Sequence, residues 1–377
     1  MSKIRVLITC NIPSPYMIAY IKELSKSFDI KAVFERKVAK DRDSKWYAQS
    51  DSSLDICFLK SLPFGNEAGL SFKITKLLKK RDFDILIIAN PTTPTGIVEL
   101  IYCKKHKIPH IIQSEGGFPG SGKGLKEKFK KYLMKDADLY LTGMGGMNDY
   151  FLQYGASKEK LCFFHFSSQS EKEIMNASIS SKSIDRAEIK KELKIKESKT
   201  IVTVGRFSYK KGYGKGYDIL MKIAEKKANE DIGFFIIGDK PTKEFINWKK
   251  TKNLNHVHFV EFLPTEMLSK YYLMADMFIL LTRNDTWGLV INEAMSYSLP
   301  VISSAFCVAA NELIQNETNG YIVDLNNIEE IAEKIDCILN NEKLSNAMRQ
   351  NNLSKIKNYS IDQMAKDVTE WLFQYRH

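Results

Sequence analysis

Residues 277–297 read MFILLTRNDTWGLVINEAMSY, and this stretch joins three kinds of local structure. The unbroken apolar run Met277–Thr282 is typical of a strand buried on both faces of a parallel sheet. The polar residues 283–287 predict a loop, and Leu289–Tyr297 has the length and composition of a helix that begins after Gly288. Strand, short loop and helix in this order form the repeating unit of a doubly wound α/β fold.

The same alternation of apolar runs and helical patterns extends through the chain. In the first half the predicted strands are Ile4–Thr9, Ile30–Phe34, Ile85–Asn90, His110–Gln113, Leu139–Thr142 and Leu161–Phe164. In the second half they are Thr200–Val204, Phe234–Ile237, Val257–Val260, Met277–Thr282 and Pro300–Ser303. Three helical stretches follow Asn326. The pattern predicts an α/β protein with two doubly wound, Rossmann-like domains.

The domain boundary is predicted from composition. Residues 166–185 are rich in serine and poor in large apolar side chains, which is typical of a linker. We therefore predict an N-terminal domain over residues 1–168 and a C-terminal domain over 169–360. The last helix, at about 361–377, is expected to pack back on the first domain. Because open α/β sheets bind ligands at the carboxyl ends of their strands, the two domains are expected to face a shared cleft.

Composition excludes some classes of protein. Hydrophobic residues make up 44% and charged residues 27%, as in soluble globular proteins. No apolar run approaches the roughly 20 residues of a membrane-spanning helix, and the first residues do not have the pattern of a signal peptide. The six cysteines are scattered singly through the chain, which predicts reduced thiols in a cytoplasmic protein.

The net charge of +11 lies almost entirely in the first half. Residues 1–170 hold 27 Lys and Arg against 17 Asp and Glu, whereas the remainder holds 29 against 28. Such a basic domain favours an anionic partner, namely nucleic acid, phospholipid or a phosphorylated substrate. A lysine-rich solubilising surface is the alternative.

A first basic cluster follows the predicted strand Thr200–Val204. Gly205 allows a tight turn, and Arg206 is followed by two Lys-Gly pairs at Lys211 and Lys215. An Arg fork and a Lys ammonium on one loop suit a diphosphate. The five-residue spacing from Arg206 favours Lys211 as the second cation, whereas the adjacency to the next helix favours Lys215.

A second cluster lies in the opening stretch. Gly288 and the free N–H groups of Leu289 and Val290 predict an anion site at a helix N-terminus. Asp285 lies in the loop ahead of it. Glu293 lies inside the helix on an otherwise apolar face, where an isolated carboxylate is costly. A ribose diol would satisfy this carboxylate with two hydrogen bonds.

The segment Asp285–Glu293 resembles the paired-acid motif of retaining family-4 glycosyltransferases of the GT-B fold, in which seven residues separate two carboxylates. The resemblance covers most of the chain. The further matching segments are Arg206 with Lys211, Ile236–Asp239, Glu312–Ile314, Asn319–Tyr321 and the N-terminal loop Asn11–Tyr16. That loop is similar to one in a bacterial subgroup that builds capsule and lipopolysaccharide chains.

The resemblance implies a retaining, metal-independent hexosyltransferase that needs no cofactor. Its donor would be a nucleotide-diphosphate sugar, and its acceptor a lipid-linked oligosaccharide of capsule, O-antigen or exopolysaccharide biosynthesis. Arg206 and Lys211 would neutralise the leaving diphosphate, Asp285 would contact the donor sugar, and Glu293 would hold the ribose. The remaining donor-binding residues would be Gly205, Lys215, Gly238, Asp239, Thr286, Trp287, Gly288, Leu289 and Val290.

Three positions depart from the family pattern. Asp285 stands where the family usually has Glu, and Val308–Asn311 replaces a glycine pair. The N-domain histidine common near the acceptor site is absent, and Glu115 occupies roughly that place. We therefore predict Glu115 as a catalytic and acceptor-binding residue; the other predicted acceptor-binding residues are Pro15, Tyr16, Gly116 and Gly117.

The segment 122–135 contains six lysines around Leu125, Phe129, Tyr132 and Leu133. This composition is typical of an interfacial helix on anionic lipid, and similar family members dock on the inner membrane through this region. We predict a protein peripheral to the inner face of the plasma membrane. The predicted membrane contacts are Lys123, Lys126, Phe129, Lys130 and Lys131. Alternatively, the apolar residues pack onto the sheet and the lysines lie in water.

Other functions are less well supported by the sequence. An epimerase of the same fold would need a set of acid and base side chains, which is not evident. A nucleic-acid-binding protein would fit the charge, but basic and aromatic residues do not alternate on the strands. No metal site is predicted, because Asp41 and Asp43 follow no apolar strand and His256 and His258 have no further ligands nearby.

Overall fold

The computed structural model describes residues 3–39, 52–143 and 149–376. Asp41 and Asp43 lie outside these ranges. The chain divides into two compact units, Met1–Ser168 with Ser360–His377 (unit 1) and Gln169–Tyr359 (unit 2). Both units have the doubly wound α/β architecture that the sequence predicts.

Unit 1 is built on a seven-stranded parallel sheet of order β3-β2-β1-β6-β7-β8-β9. Its strands are β1 (Arg5–Cys10), β2 (Asp29–Phe34), β3 (Asp55–Phe58), β6 (Ile85–Ile88), β7 (Ile111–Ser114), β8 (Leu139–Thr142) and β9 (Leu161–Phe163). A separate antiparallel hairpin consists of β4 (Leu62–Phe64) and β5 (Ala68–Leu70). The six strands predicted for this half are present, whereas β3 and the hairpin were not predicted. These three strands are short and only partly buried, so they carry little hydrophobic pattern.

The helices of unit 1 are α1 (Pro15–Leu24), α2 (Ile74–Lys80), α3 (Pro94–His106), α4 (Leu125–Met134), α5 (Asp149–Gln153) and the C-terminal α15 (Ile361–Arg376). Helix α2 packs on α3, and α3 packs on α4. Helix α15 packs on α1, where Phe373 meets the buried Phe28 with ring centroids 5.2 Å apart. The C-terminal segment is therefore part of unit 1.

Unit 2 is built on a six-stranded parallel sheet of order β12-β11-β10-β13-β14-β15. The strands are β10 (Lys199–Val204), β11 (Ile232–Ile237), β12 (Val257–Val260), β13 (Met277–Leu280), β14 (Val301–Ser304) and β15 (Gly320–Val323). Only the edge strand β15 was not predicted. Strands β11 and β13 are buried along their whole length, as unbroken apolar runs require.

The helices of unit 2 are α6 (Glu171–Ser183), α7 (Arg186–Glu192), α8 (Tyr217–Lys226), α9 (Lys243–Thr251), α10 (Thr265–Met274), α11 (Leu289–Ser296), α12 (Val308–Leu313), α13 (Ile328–Asn340) and α14 (Glu342–Ile356). None of the helices in the described part of the chain is long and apolar enough to span a bilayer.

The prediction of a linker over residues 166–185 was wrong, because helix α6 occupies most of it. Ser170 accepts a hydrogen bond from the backbone N–H of Glu173, whose carboxylate accepts one from the backbone of Ser170. This capping box starts the helix, and the buried Ile174 and Ala177 lie where α6 packs on α10 and α11. The Ser-x-x-Glu signal is present in the sequence, but the high serine content of residues 166–185 made the whole segment resemble a linker.

Candidate functional site

Unit 2 reverses its strand order between β10 and β13. From β10 the chain adds strands on one side of the sheet, and from β13 it adds strands on the other side. A crevice therefore opens at the carboxyl ends of β10 and β13. Gly205 and Arg206 directly follow β10, and the polar loop 282–288 follows β13. The two clusters singled out in the sequence therefore lie at one switch point of one sheet.

Two glycines permit close approach of the strands β10 and β11 at this point. The N–H of Gly205 donates to the carbonyl of Ile237 at 2.9 Å, and a Cβ on Gly238 would lie only 1.8 Å from the carbonyl oxygen of Gly205. The neighbouring carboxylate of Asp239 accepts hydrogen bonds from the backbone N–H groups of Phe207 and Ser208. Asp239, a predicted donor-binding residue, thus shapes the loop that carries Arg206.

A 3-10 segment, Tyr209–Lys215, connects the Arg206 loop to helix α8. Lys210, Lys211 and Gly212 all have left-handed backbones, with φ of 50°, 56° and 90°. For the two lysines this conformation is sterically unfavourable. Both lysine side chains are exposed to solvent, so Lys211 is held on the outside of this segment.

Lys215 lies in the interior of the site. Its side chain covers Gly205, where an added Cβ would meet Lys215 Cγ at 3.2 Å. Its Nζ pairs with the carboxylate of Asp285, and less than a fifth of either side chain is exposed. Lys215 Nζ also lies 5.6 Å from the centroid of the Tyr209 ring. Of the two lysines left open by the sequence, Lys215 is therefore the one that meets the paired-acid loop.

Arg283 fastens the 3-10 segment to the loop after β13, a role that the sequence did not reveal. Its guanidinium donates to both carboxylate oxygens of Asp218, at 2.7 and 2.8 Å. The same side chain donates to the carbonyl of Tyr213 at 2.6 Å, and its backbone N–H donates to the carbonyl of Gly214 at 2.9 Å. These contacts fix the position of Lys215 relative to Asp285.

The loop from Asp285 to Gly288 is held by the chain that follows β14. Asp285 N–H donates to the carbonyl of Phe306 at 2.9 Å. Gly288 has a φ of +99°, and a Cβ there would lie 2.4 Å from the Sγ of Cys307, so only glycine fits. The side chain of Trp287 is buried and its Nε1 donates to Asn292 Oδ1 at 2.9 Å. A donor would therefore meet the backbone rather than the indole at this position, whereas Thr286 is exposed.

Helix α11 begins at this loop, and its first N–H groups, at Leu289 and Val290, have no acceptor within the helix. They provide the anion-binding end of a helix dipole. One to two turns further on, Glu293 Oε2 accepts a hydrogen bond from the hydroxyl of Tyr272 at 2.8 Å. Burial raises the pKa of Glu293 to about 7, and a smaller contribution from Glu173 adds to this, while the bond from Tyr272 acts against it.

The segment 308–311, which replaces the glycine pair, forms the first turn of α12. Val308, Ala309 and Ala310 are buried, and the N–H of Ala309 donates to the carbonyl of Trp287 at 2.8 Å. The replacement therefore supports the paired-acid loop from behind.

In unit 1 the predicted acceptor residues Tyr16 and Glu115 lie in contact. Pro15 is the first residue of α1, and the Tyr16 hydroxyl donates to Glu115 Oε1 at 2.9 Å. Burial and the carboxylate of Glu115 raise the pKa of Tyr16 well above its usual value. Gly116 is buried, and a Cβ on Gly117 would lie 2.8 Å from the ring of Tyr150. The sheet brings together these two side chains, which lie 99 positions apart in the sequence.

Helix α4 divides the apolar residues of the basic segment between two faces. Leu133 packs in the core, whereas Leu125 is 86% exposed, and Phe129 and Tyr132 are about half exposed. The alternative that Leu125, Phe129 and Leu133 all pack on the sheet is thus wrong for Leu125 and Phe129. Lys123, Lys126 and Lys131 are exposed beside them.

Lys130, predicted as a membrane contact, lies on the packed face of α4. Its Nζ is 4.5 Å and 4.0 Å from the ring centroids of Tyr150 and Tyr154. Burial lowers the pKa of Lys130, and the two rings provide a cation–π environment for its ammonium group. A side chain held in this way is directed into unit 1.

The two histidines weighed as metal ligands each have a protein partner. His256 Nε2 lies 3.0 Å from the carbonyl of Ala224, and His258 Nε2 lies 2.7 Å from Glu197 Oε1. Over residues 3–39, 52–143 and 149–376, no three His, Cys, Asp or Glu side chains are grouped as metal ligands.

The part of the chain that matches a known protein family lies within unit 2. Residues 185–355 match the family model described as Glycosyl transferases group 1. An uncharacterized glycosyltransferase of Haemophilus influenzae is 26% identical over 340 residues, which are 87% of each chain.

The overall architecture is also that of solved glycosyltransferases. The Anabaena protein HepE, solved in complex with UDP and glucose, superposes with a TM-score of 0.73 over 98% of this chain and 100% of its own, at 15% identity. WaaG, a glycosyltransferase involved in lipopolysaccharide biosynthesis, gives a TM-score of 0.64 over 97% and 99%, at 12% identity. The chain therefore has the GT-B fold, and its residues 185–355 match the family model described as Glycosyl transferases group 1.

Proposed function

We propose that this protein is a retaining, metal-independent hexosyltransferase that uses a nucleotide-diphosphate sugar. The observation that supports this most directly is the convergence of Arg206, Lys215 and the start of α11 at the switch point of unit 2, with the two carboxylates of Asp285 and Glu293 beside them. Cations and helix N–H groups at one strand edge match a diphosphate, and carboxylates match sugar hydroxyls.

Each group has a distinct role in the proposed reaction. Cleavage of the bond between sugar and diphosphate leaves negative charge on the diphosphate oxygens. Arg206, Lys215 and the N–H groups of Leu289 and Val290 stabilise that charge. The carboxylate of Asp285 binds a hydroxyl of the donor sugar once Lys215 has turned to the diphosphate. Glu293 accepts hydrogen bonds from the ribose.

The assignment of Lys215 rather than Lys211 to the diphosphate is part of this proposal. The Lys215 side chain lies over Gly205 and pairs with Asp285, whereas Lys211 is exposed on a left-handed segment. Lys215→Gln is expected to lower kcat by about 100-fold or more, the usual effect of removing one group that stabilises transition-state charge. Lys211→Gln is the matched comparison, and an equal loss in both variants would contradict the assignment.

The first donor to test is UDP-glucose, which is bound by the structural neighbour HepE. We expect binding by calorimetry, and weaker binding in Arg206→Ala and Glu293→Gln. Unchanged binding in both variants would contradict the proposed site. Product analysis with and without acceptor separates a transferase from an epimerase, since an epimerase converts the donor alone. Activity that persists in EDTA is the expected sign of a reaction without metal.

On the acceptor side we propose a lipid-linked saccharide of capsule, O-antigen or exopolysaccharide synthesis, bound at Tyr16, Glu115, Gly116 and Gly117. The exposed Leu125, Phe129 and Tyr132 on α4, flanked by lysines, support a cytoplasmic protein peripheral to the anionic inner face of the membrane. Leu125→Ser with Phe129→Ser is expected to weaken sedimentation with phosphatidylglycerol vesicles. Equal sedimentation of this variant and the wild type would contradict the role of α4.

A further inference from the structure

The hairpin β4–β5 of unit 1 presents an apolar face to solvent. Leu62 pairs with Leu70 and Phe64 with Ala68, and directly opposed residues of an antiparallel pair point to the same face. Leu62 is 70% exposed and Phe64 62% exposed, and Phe72, just beyond the hairpin, is 68% exposed. Adjacent exposed apolar side chains of this size mark an interaction surface.

A buried carboxylate holds this hairpin in place. Glu35 is 1% exposed, and its Oε2 accepts a hydrogen bond from Gly69 N–H at 2.7 Å. Its Oε1 accepts from Asn90 Nδ2 and from the hydroxyl of Thr93. The Thr95 hydroxyl donates to the carbonyl of the same residue, Gly69, at 2.7 Å. Gly69 is thus fixed through both its N–H and its carbonyl, so the apolar face is displayed on a rigid support.

The stretch of sequence that contains the hairpin is strongly basic. Residues 60–80 contain one acidic residue, Glu67, against five lysines, namely Lys60, Lys73, Lys76, Lys79 and Lys80. The lysines at 60, 73, 76, 79 and 80 are all exposed. Apolar side chains that project among exposed ammonium groups match the acyl chains and anionic headgroups of a phospholipid surface. Nucleic acid would be attracted by the lysines, but it offers nothing to a projecting leucine.

The hairpin surface lies at the same edge of unit 1 as the start of α4. Helices that follow parallel strands begin at the carboxyl edge of the sheet, and Phe72 precedes α2 while Leu125 opens α4. Helix α3 lies between these two helices and packs on both. The exposed residues of the hairpin and of α4 therefore flank one helix at one end of the unit.

We infer that Leu62, Phe64 and Phe72 insert into an anionic bilayer, as a second contact beside α4. This inference rests on the proposed membrane-bound acceptor. Helix α4 has only ten residues, of which three apolar side chains are exposed. Because stable attachment to a membrane generally takes two signals, a second inserted element explains why a rigid apolar hairpin is exposed in the same unit.

The test uses the full chain and vesicles of phosphatidylcholine with phosphatidylglycerol. Leu62→Ser with Phe64→Ser is expected to weaken partitioning by about 100-fold or more, since two apolar side chains lose their burial in lipid. Met175→Ser with Ile179→Ser is the matched control in unit 2, where Met175 and Ile179 are 55% and 56% exposed. This control is expected to partition like the wild type. Circular dichroism confirms that both double variants are folded.

A direct measurement of insertion completes the experiment. In the variant Phe64→Trp, brominated lipids are expected to quench the fluorescence of the introduced tryptophan. In the variant Ile179→Trp, they are expected to leave the fluorescence of the introduced tryptophan unchanged. Partitioning of the hairpin variant equal to the wild type, or absence of quenching at position 64, would overturn the inference. A hairpin-dependent dimer in sedimentation without vesicle binding would overturn it in favour of a second copy of this chain.

Failure of this inference is distinguishable from failure of the proposed function. UDP-glucose binding is measured on the same hairpin variants without vesicles, and it is expected to be unchanged. Intact donor binding with no effect of the hairpin on vesicles contradicts only the inference. Absence of binding of every nucleotide-diphosphate sugar tested on the wild type contradicts the proposed function and leaves the vesicle result to stand alone.

Discussion

The pKa of Glu293 makes donor binding depend on pH near neutrality. Burial raises the pKa of this carboxyl to about 7. Only the ionised form accepts hydrogen bonds from both ribose hydroxyls, so donor affinity should rise as pH rises through the pKa. The ionised fraction grows from about one tenth at pH 6 to about nine tenths at pH 8, which predicts a Kd about tenfold lower at the higher pH.

The assay is calorimetry with UDP-glucose over this pH range. A nucleotide-diphosphate sugar has no phosphate group that titrates near neutrality, whereas the terminal phosphate of UDP has a pKa of roughly 6 and would obscure the effect. Glu293→Gln is expected to bind more weakly and with no dependence on pH. Glu225→Gln is the matched control, since Glu225 is another carboxylate of unit 2 that accepts a hydrogen bond from an aromatic side chain, here the Nε1–H of Trp248.

Tyr272→Phe tests the origin of the shift. The hydrogen bond from Tyr272 lowers the pKa of Glu293 against the effect of burial, so its removal should raise the pKa further and move the binding profile to higher pH. A wild-type Kd that is flat between about pH 6 and 8, or a Glu293→Gln variant with the wild-type slope, would refute the assignment of Glu293 to the ribose.

Three further predictions concern the support of the two units. Burial raises the pKa of Glu99 to about 8, whereas its usual value is 4.5. Because the folded state keeps a proton that the unfolded state releases, the free energy of unfolding should fall by up to about 5 kcal/mol as the pH rises from 4.5 to 8. The melting temperature of Glu99→Gln should fall less steeply than that of the wild type over this range. Gly288→Ala is expected to destabilise unit 2 by about 2 to 3 kcal/mol in denaturant unfolding because of its positive φ and its contact with Cys307, and the added substitution Cys307→Ala should restore only part of that loss. Arg283→Lys loses the bidentate hydrogen bonds to Asp218. Calorimetry should then show UDP-glucose binding weakened by about 1.5 kcal/mol, roughly tenfold, and unchanged binding would mean that the Arg283–Asp218 pair does not position Lys215.

The sequence alone determined the two doubly wound sheets and most of their strands. Buried parallel strands must be apolar along their whole length, so runs such as Phe234–Ile237 and Met277–Thr282 identify themselves without any knowledge of their neighbours. The switch-point loops were also evident, because glycine at a strand end and free N–H groups at a helix start follow from local geometry. The resemblance to GT-B enzymes added the roles of the paired acids, which remain predictions.

Only the tertiary structure decided which side chains meet. Lys211 and Lys215 have similar local sequence, but the contact with Asp285 spans 70 residues and is closed by the sheet and by the Arg283 clamp. The partner of Glu293 comes from α10, and helix α4 turns Lys130 inward and Leu125 outward according to what packs beneath it. Local sequence fixes backbone preferences within a few residues, whereas burial and pairing depend on segments that only the folded sheet brings together.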